Sequence, residues 1–289
     1  MSNILNNSQK LSEGNYLSPA NRMYPAYMVR HVLLTIRSLA LLAFFAISLV
    51  FMTYPQQSNA AGEQLLHQAT YEGSYKGMDI SMTRRLIHIS GERYKLETKT
   101  NNFFGRIEEY EEFLWTAPNT IYPLYYHYKQ KVLGVSKKRS ISYDWKALTA
   151  TSQYKKKKRT LQIEKGILGP MSYQLMFQID LIHGKSDMPK ALTYQFIRRG
   201  EFKQYVFNVL GKEKLRYKKQ TISQAIAFTR ENENKSKKTK IWFDPDNQYT
   251  LSALQQTKDN KVHNLFLTSS QYFIGEGALS AAKFLVPQK

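Results

Sequence analysis

Glu108, Glu109, Glu111 and Glu112 stand within five positions of one another and raise the question of acid–base chemistry. Two carboxylates on opposite sides of a glycosidic bond can act as acid and base. Four acids on one strand are more simply expected to balance cations on the neighbouring strands. The histidines are His31, His67, His88, His127, His183 and His263. No two of them stand at i, i+4, and there is no cysteine, so no metal-ligand set is expected. Asp244-Pro245-Asp246-Asn247 lacks the twelve-residue pattern and distal glutamate of a calcium loop, and reads as a proline-initiated turn. No glycine-rich phosphate loop and no G-x-S-x-G elbow occur. The expectation is therefore a protein that is not an enzyme, with no catalytic residues, cofactor or metal.

The residues suited to binding are aromatic and basic. Ile121 to Val132, IYPLYYHYKQKV, is the most aromatic stretch, and strict alternation would place Tyr122, Leu124, Tyr126 and Tyr128 on one face. Such a stripe packs a core or lines a ligand wall, because tyrosine has an apolar body and a polar tip. Ile141, Tyr143 and Trp145 alternate in the same way, and Trp242 lies in a later apolar run. Lys155, Lys156, Lys157, Lys158 and Arg159 form five consecutive cations, read either as a solvated hairpin end or as a patch for phosphate-bearing headgroups. Tyr122, Tyr126, Trp145 and Trp242 are thus the expected wall of a binding face, and Lys155–Arg159 its rim.

The elements that must carry these residues are strands. From Ala69 onward, runs of about ten residues are separated by Lys76-Gly77, Ser90-Gly91-Glu92, Gly105 and Ala117-Pro118-Asn119, the spacing of an antiparallel meander. Pro123 removes a ladder donor and is expected at an edge or a strand start. In the second run Ile80, Met82 and Leu86 share a face with Arg84 among them. Met171, Leu175, Ile179 and Ile182 change the period to that of an amphipathic helix over Met171–His183, opened by Pro170 and closed by Gly184. Strands resume at Ala191–Arg198, Phe202–Leu210, Lys214–Lys219, Thr221–Arg230, Thr239–Phe243, Tyr249–Thr257 and Lys261–Thr268. The expected fold is mainly β: a curved antiparallel sheet, or open half-barrel, with one amphipathic helix and a preceding N-terminal signal helix. The 20 Tyr and 15 Phe against 14 Gly and 9 Pro fit strands rather than disorder.

Ahead of this body, Arg30 and Arg37 precede an apolar run from Ser38 to Met52, and Ser58 and Ala60 form a small-x-small pair. That is the order of a secretory signal, with cleavage after Ala60. The uncharged run is short for a membrane span, which wants roughly 20 apolar residues. A retained single inner-membrane anchor is the alternative. Residues 1–27 are polar and read as disordered or as preceding a true start at Met28 or Met23. The expected organisation is a leader over 1–60 (signal peptide 28–60), one β domain over 61–270 and a loose tail over 271–289. The 42 Lys and Arg against 22 Asp and Glu give +20. Four of those cations (Lys10, Arg22, Arg30, Arg37) and one acid (Glu13) precede residue 61, which leaves +17 on the body. Such a charge attracts polyanions. For an exported, periplasmic protein these are anionic lipid, lipopolysaccharide or an envelope polymer rather than nucleic acid. The lack of cysteine leaves core burial to hold the fold and excludes a lipid-modified cysteine.

Several short motifs, in order, resemble an exported proteobacterial family known as domain of unknown function 3108. They are Tyr71 before Gly73, Pro123-Leu124-Tyr125, Tyr143-Asp144-Trp145, Pro170-Met171-Ser172, and Trp242-Phe243-Asp244-Pro245-Asp246. The resemblance covers about Tyr71 to Ser269 and implies a curved β-sheet domain of the envelope. One departure stands out: the family usually has Asp three positions before the helix serine, where this chain has Gly169. An acidic cap at the helix N-terminus is therefore expected to be missing. A further, looser likeness of shape is to periplasmic lipoprotein carriers, half-barrels closed by helix. The expected function is a non-enzymatic envelope protein that holds an amphipathic or anionic lipid-like ligand on a concave sheet. The alternative is a structural module that meets a protein partner through a strand edge.

Overall fold

The computed structural model describes residues 62–75, 77–102, 105–117, 120–184, 190–231, 237–259 and 261–273. The expected signal helix and cleavage site lie outside the described residues, as do 274–289. Among the described residues no helix is long and apolar enough to cross a membrane.

Fourteen antiparallel strands form one sheet. They are β1 (Gln64–Tyr75), β2 (Met78–Ser90), β3 (Arg93–Asn102), β4 (Gly105–Ala117), β5 (Thr120–Val132), β6 (Val135–Asp144), β7 (Thr149–Tyr154) and β8 (Lys157–Gln162). After the helix α1 (Ser172–His183) come β9 (Ala191–Arg198), β10 (Glu201–Tyr217), β11 (Gln220–Glu231), β12 (Lys237–Asp244), β13 (Thr250–Lys258) and β14 (Lys261–Tyr272). The order across the sheet is β8-β7-β6-β5-β4-β3-β2-β1-β14-β13-β12-β11-β10-β9. Two meanders are thus joined where β1 pairs with β14, which places the first strand in mid-sheet.

The sheet stays open between β8 and β9. Residues 163–171, which lead from β8 to α1, lie across part of the gap. Leu168 N–H donates to Gln195 O at 3.1 Å, and Ile197 N–H donates to Leu168 O at 3.2 Å. This single parallel bridge satisfies part of β9's free edge.

The helix differs from the expected one-striped element. Ser172, Leu175, Met176, Phe177, Ile179, Leu181 and Ile182 are all buried, so it is enclosed on most sides. Its neighbours come from both meanders. The Phe177 ring lies 4.7–5.4 Å from the rings of Tyr194, Phe207, Phe228 and Phe243. At the far side Arg84 of β2 and Tyr272 of β14 bond to Gln174 and Gln178. A sheet that reaches one helix from β2, β4, β9, β10, β11, β12 and β14 has curled around it. Burying an aromatic side chain stabilises by about 1.5–3 kcal/mol, so this cluster is a main source of the curl's stability.

Other expectations shift in detail. Gly211, at φ +101°, marks a bulge with Leu210 as the extra residue, and lets β10 run unbroken through the two strands expected there. Trp145 lies in the β6–β7 turn, where Asp144 Oδ1 accepts from the N–H groups of Lys146 and Ala147. The last strand runs past Thr268 to Tyr272, and Phe273 N–H donates to Leu66 O at 2.8 Å, so the C-terminal segment is ordered further than expected.

Candidate functional site

The glutamate run of β4 divides by the pleat. Glu112 pairs with Arg93 of β3, as expected; Glu108 stands opposite Lys99 and Lys129 but pairs with Arg106 of its own strand. Glu109 and Glu111 point inward. Glu109 accepts from Tyr126 Oη at 2.7 Å, and burial raises its pKa despite that bond. Glu111 is wholly buried. Its Oε2 accepts from Met171 N–H at 2.7 Å and its Oε1 from Ser172 N–H at 3.3 Å, at the start of α1. The Ser172 hydroxyl also bonds to this carboxylate and accepts from Gly169 N–H at 2.8 Å. Helix N-termini carry free N–H groups and partial positive charge, both of which an anion satisfies.

The expectation of a missing acidic cap is therefore corrected: the carboxylate arrives from β4. Gly169 makes room for it, since a Cβ at 169 would lie 2.2 Å from Glu111 Oε1. Burial outweighs these bonds and pushes Glu111 up to about 7.

The expected wall does not form. Register shifts between Glu112 and Phe113, where Tyr125 and Pro123 are the successive partners, so Leu124 is an extra residue in β5. This bulge reverses the alternation. Ile121 and Pro123 are buried before it and Tyr126 after it, which leaves Tyr122 on the opposite side from Tyr126. It also admits Pro123 to the middle of a central strand. Tyr122 meets the edge of Trp145 at 5.0 Å, and Trp145 Nε1 donates to Pro123 O at 2.7 Å. Trp242 sits in a small separate cluster with Ala225, Ala227 and Ala253, its Nε1 bonded to Glu213 at 2.9 Å. Its neighbours Ile241 and Phe243 join the main core. Lys155–Arg159 form the β7–β8 turn and much of β8, all exposed. Lysines along an edge strand deter pairing with other chains.

A cavity of about 250 Å³ lies instead between α1 and the strands β1–β3 and β9–β14. None of the nine expected site residues lines it. Leu86, Leu96, Phe177, Ile241, Phe243 and Leu254 supply apolar wall, and Arg84, Arg198, Arg230 and Lys237 supply charge. No carboxylate is among its described lining residues.

Arg84 Nη1 donates to the neutral Gln174 Oε1 at 2.5 Å, and burial pulls its guanidinium below the usual arginine range. Arg230 lies 3.7 Å from the centre of the Tyr205 ring and bonds to Thr239 Oγ1 at 3.2 Å. Arg198 bonds to the Tyr205 hydroxyl at 3.1 Å. Burial, then the charges of Arg230, Arg198 and Lys258, hold Lys237 below the usual lysine range. Burial, then Arg84, lowers His67 to about 4, so it is neutral near pH 7, stacked on Tyr272 and bonded to Ser270.

Arg84 was visible in the sequence as a cation within the apolar row Ile80–Met82–Leu86. Arg198, Arg230 and Lys237 carried no such mark, because they converge from three different strands.

The cavity and its setting define a class: an open antiparallel sheet wrapped around a helix, with a cation-lined interior space. The family model described as protein of unknown function DUF3108 matches residues 70–261, and the chain belongs to that family. Among solved structures it is similar to the beta-barrel-like protein of domain of unknown function DUF1849 from Brucella abortus. The alignment has a TM-score of 0.47 and 8% identity, and covers 73% of this chain and 99% of that one. No curated protein matches the chain.

Proposed function

We propose that the protein is a non-enzymatic envelope protein that binds a small, single-chain amphipathic anion in the cavity beneath α1. One observation carries this reading: four cations and no described carboxylate line a space whose remaining walls are largely apolar. Cations lining a cavity attract an anion, and apolar walls favour a hydrocarbon. Ligand pockets span roughly 300–1,000 Å³, so a space of about 250 Å³ suits one short chain and excludes a two-chain phospholipid. Arg84, Arg198, Arg230 and Lys237 would meet the charged head, and Leu86, Leu96 and Phe177 the tail. The +17 body charge and the leader reading support a place outside the cytoplasm.

The test is displacement of a dye-labelled fatty acid by unlabelled carboxylates and by the matching alcohols. Carboxylates should compete better, and Arg230→Gln should narrow the difference. Equal competition by acid and alcohol would sink the reading. Against the alternative of a strand-pairing module stand Lys157, Lys158 and Arg159 along the β8 edge and Leu168 across the β9 edge.

A further inference from the structure

The β5–β6 hairpin ends in a two-residue turn, Leu133-Gly134, with φ of +47° and +78°. Both central residues of such a turn need positive φ, and Asn-Gly is the favoured pair because leucine is strained there. Leu133 gains no packing in exchange, since it is 74% exposed, and Val135 beside it is 59% exposed. The hairpin's stem is unfavourable as well. Lys129 stands directly opposite Lys138, and Lys131 opposite Arg106 on β4, and like charges so placed repel. Lys137 is exposed on the same stem, and the β7–β8 turn at the same end of the sheet adds Lys155 and Lys156. Glu108, opposite Lys129, is the acid on these strands near the tip. A second exposed leucine with a left-handed backbone, Leu148, lies at the opposite end of β6. Its carbonyl accepts from Ile163 N–H at 2.8 Å, which gives it a structural task.

A strained, exposed leucine surrounded by mutually repelling lysines is costly in water on three counts. One surface relieves the exposure and the repulsion together, and so gives a strained leucine a reason to stand at this tip: an anionic bilayer, whose acyl region takes the apolar tip while its phosphates neutralise the stem. We propose that the β5–β6 hairpin is a membrane-contact finger, with Leu133 and Val135 entering the surface of an anionic bilayer and Lys129, Lys131, Lys137 and Lys138 meeting its headgroups. This inference stands apart from the cavity reading, which concerns the other end of the same sheet's interior chemistry.

The absence of cysteine allows a single reporter. Val135→Cys in the full chain, labelled with an environment-sensitive dye, is mixed with phosphatidylcholine vesicles with or without phosphatidylglycerol. Glu92→Cys, in the β2–β3 turn at the opposite end, is the control. The emission at 135 should shift to the blue with phosphatidylglycerol alone, and revert in high salt. The label at 92 should stay unchanged. Leu133→Asn should diminish the shift while raising the midpoint of thermal unfolding, because asparagine suits the turn; a purely structural leucine would lower both or neither. Each Lys→Gln change on the stem should weaken vesicle binding about fivefold. The apolar run Ser38–Met52 is common to every variant, so a response confined to position 135 belongs to the hairpin. No shift at 135, an equal shift at 92, an equal shift on neutral vesicles, or a shift indifferent to Leu133→Asn would each overturn the proposal. Arg84→Met should leave the shift intact, which separates failure here from failure of the cavity reading.

Discussion

Two sets of charged side chains face the interior of one sheet. Beneath the start of α1, Glu109 and Glu111 are enclosed and bonded, to Tyr126, to Ser172 and to two helix N–H groups. Further along the helix, Arg84, Arg230 and Lys237 border open space, and Arg84 bonds to a neutral amide. Both arrangements are expensive to desolvate; the acidic one offsets part of that cost within the fold through hydrogen bonds, while burial still holds Glu111 at about 7. The contrast separates charges enclosed by hydrogen-bonding groups of the fold from charges that border a cavity. Breaking each set tests the distinction.

The largest effect belongs to the acidic set. Glu111→Ala leaves two buried N–H groups without an acceptor and should cost about 3–4 kcal/mol in denaturant unfolding. Gly169→Asp in that background should recover part of the loss, because its side chain would rise into the space the Glu111 carboxylate leaves. Gly169→Ala alone should destabilise by driving a methyl group into that carboxylate. A loss below ~0.5 kcal/mol for Glu111→Ala would show that the helix start does not depend on it.

Next is the pH dependence, where the two sets have opposite signs. The folded Glu111 carboxyl, at about 7, holds its proton more tightly than the unfolded one at 4.5. Its contribution is therefore greatest below pH 4.5 and is lost as pH rises to about 7. His67, lowered from 6.5 to about 4, is protonated first in the unfolded chain. Its contribution is present above pH 6.5 and is lost as pH falls toward 4. Each is on the order of 3 kcal/mol, so the wild-type profile between pH 4.5 and 6.5 should be shallow. Glu111→Gln should uncover a stability that climbs with pH there. A profile unchanged by that substitution would count against the burial of Glu111 as the cause.

Arg84→Met sharpens the comparison from the other side. Replacing an enclosed cation by an apolar side chain of similar length should leave stability unchanged or raise it by ~1 kcal/mol, while carboxylate binding falls tenfold or more. Loss of stability without loss of binding would reassign Arg84 to the structural set. The smallest effect is expected at Lys155–Arg159. Neutralising all five should change stability by less than about 0.5 kcal/mol per residue and leave ligand displacement unaltered, since none lines the cavity.

Local pattern was a good guide where local physics decides. Turn residues marked most hairpins, Pro170 and Gly184 bounded the helix, and the antiparallel curved sheet followed from alternation. Alternation failed as a guide to which face is inside wherever a bulge intervened. One extra residue, Leu124, put Tyr122 and Tyr126 on opposite sides, and its mark in the sequence, Pro123, was read as an edge or a strand start. The glutamate run was read as uniformly surface-facing, although the pleat alone required two of the four to face the other way.

The sequence by itself determined most of the strands, the helix and the basic excess, because each depends on composition or on neighbours a few residues apart. The tertiary structure alone decided that the helix start takes its carboxylate from β4, where Gly169 leaves the space. It also decided that Arg84, Arg198, Arg230 and Lys237 meet around one cavity while the expected aromatic wall is dispersed. Those outcomes depend on register and on the curl of the sheet, which bring together residues up to 153 positions apart and are set by the packing of the whole.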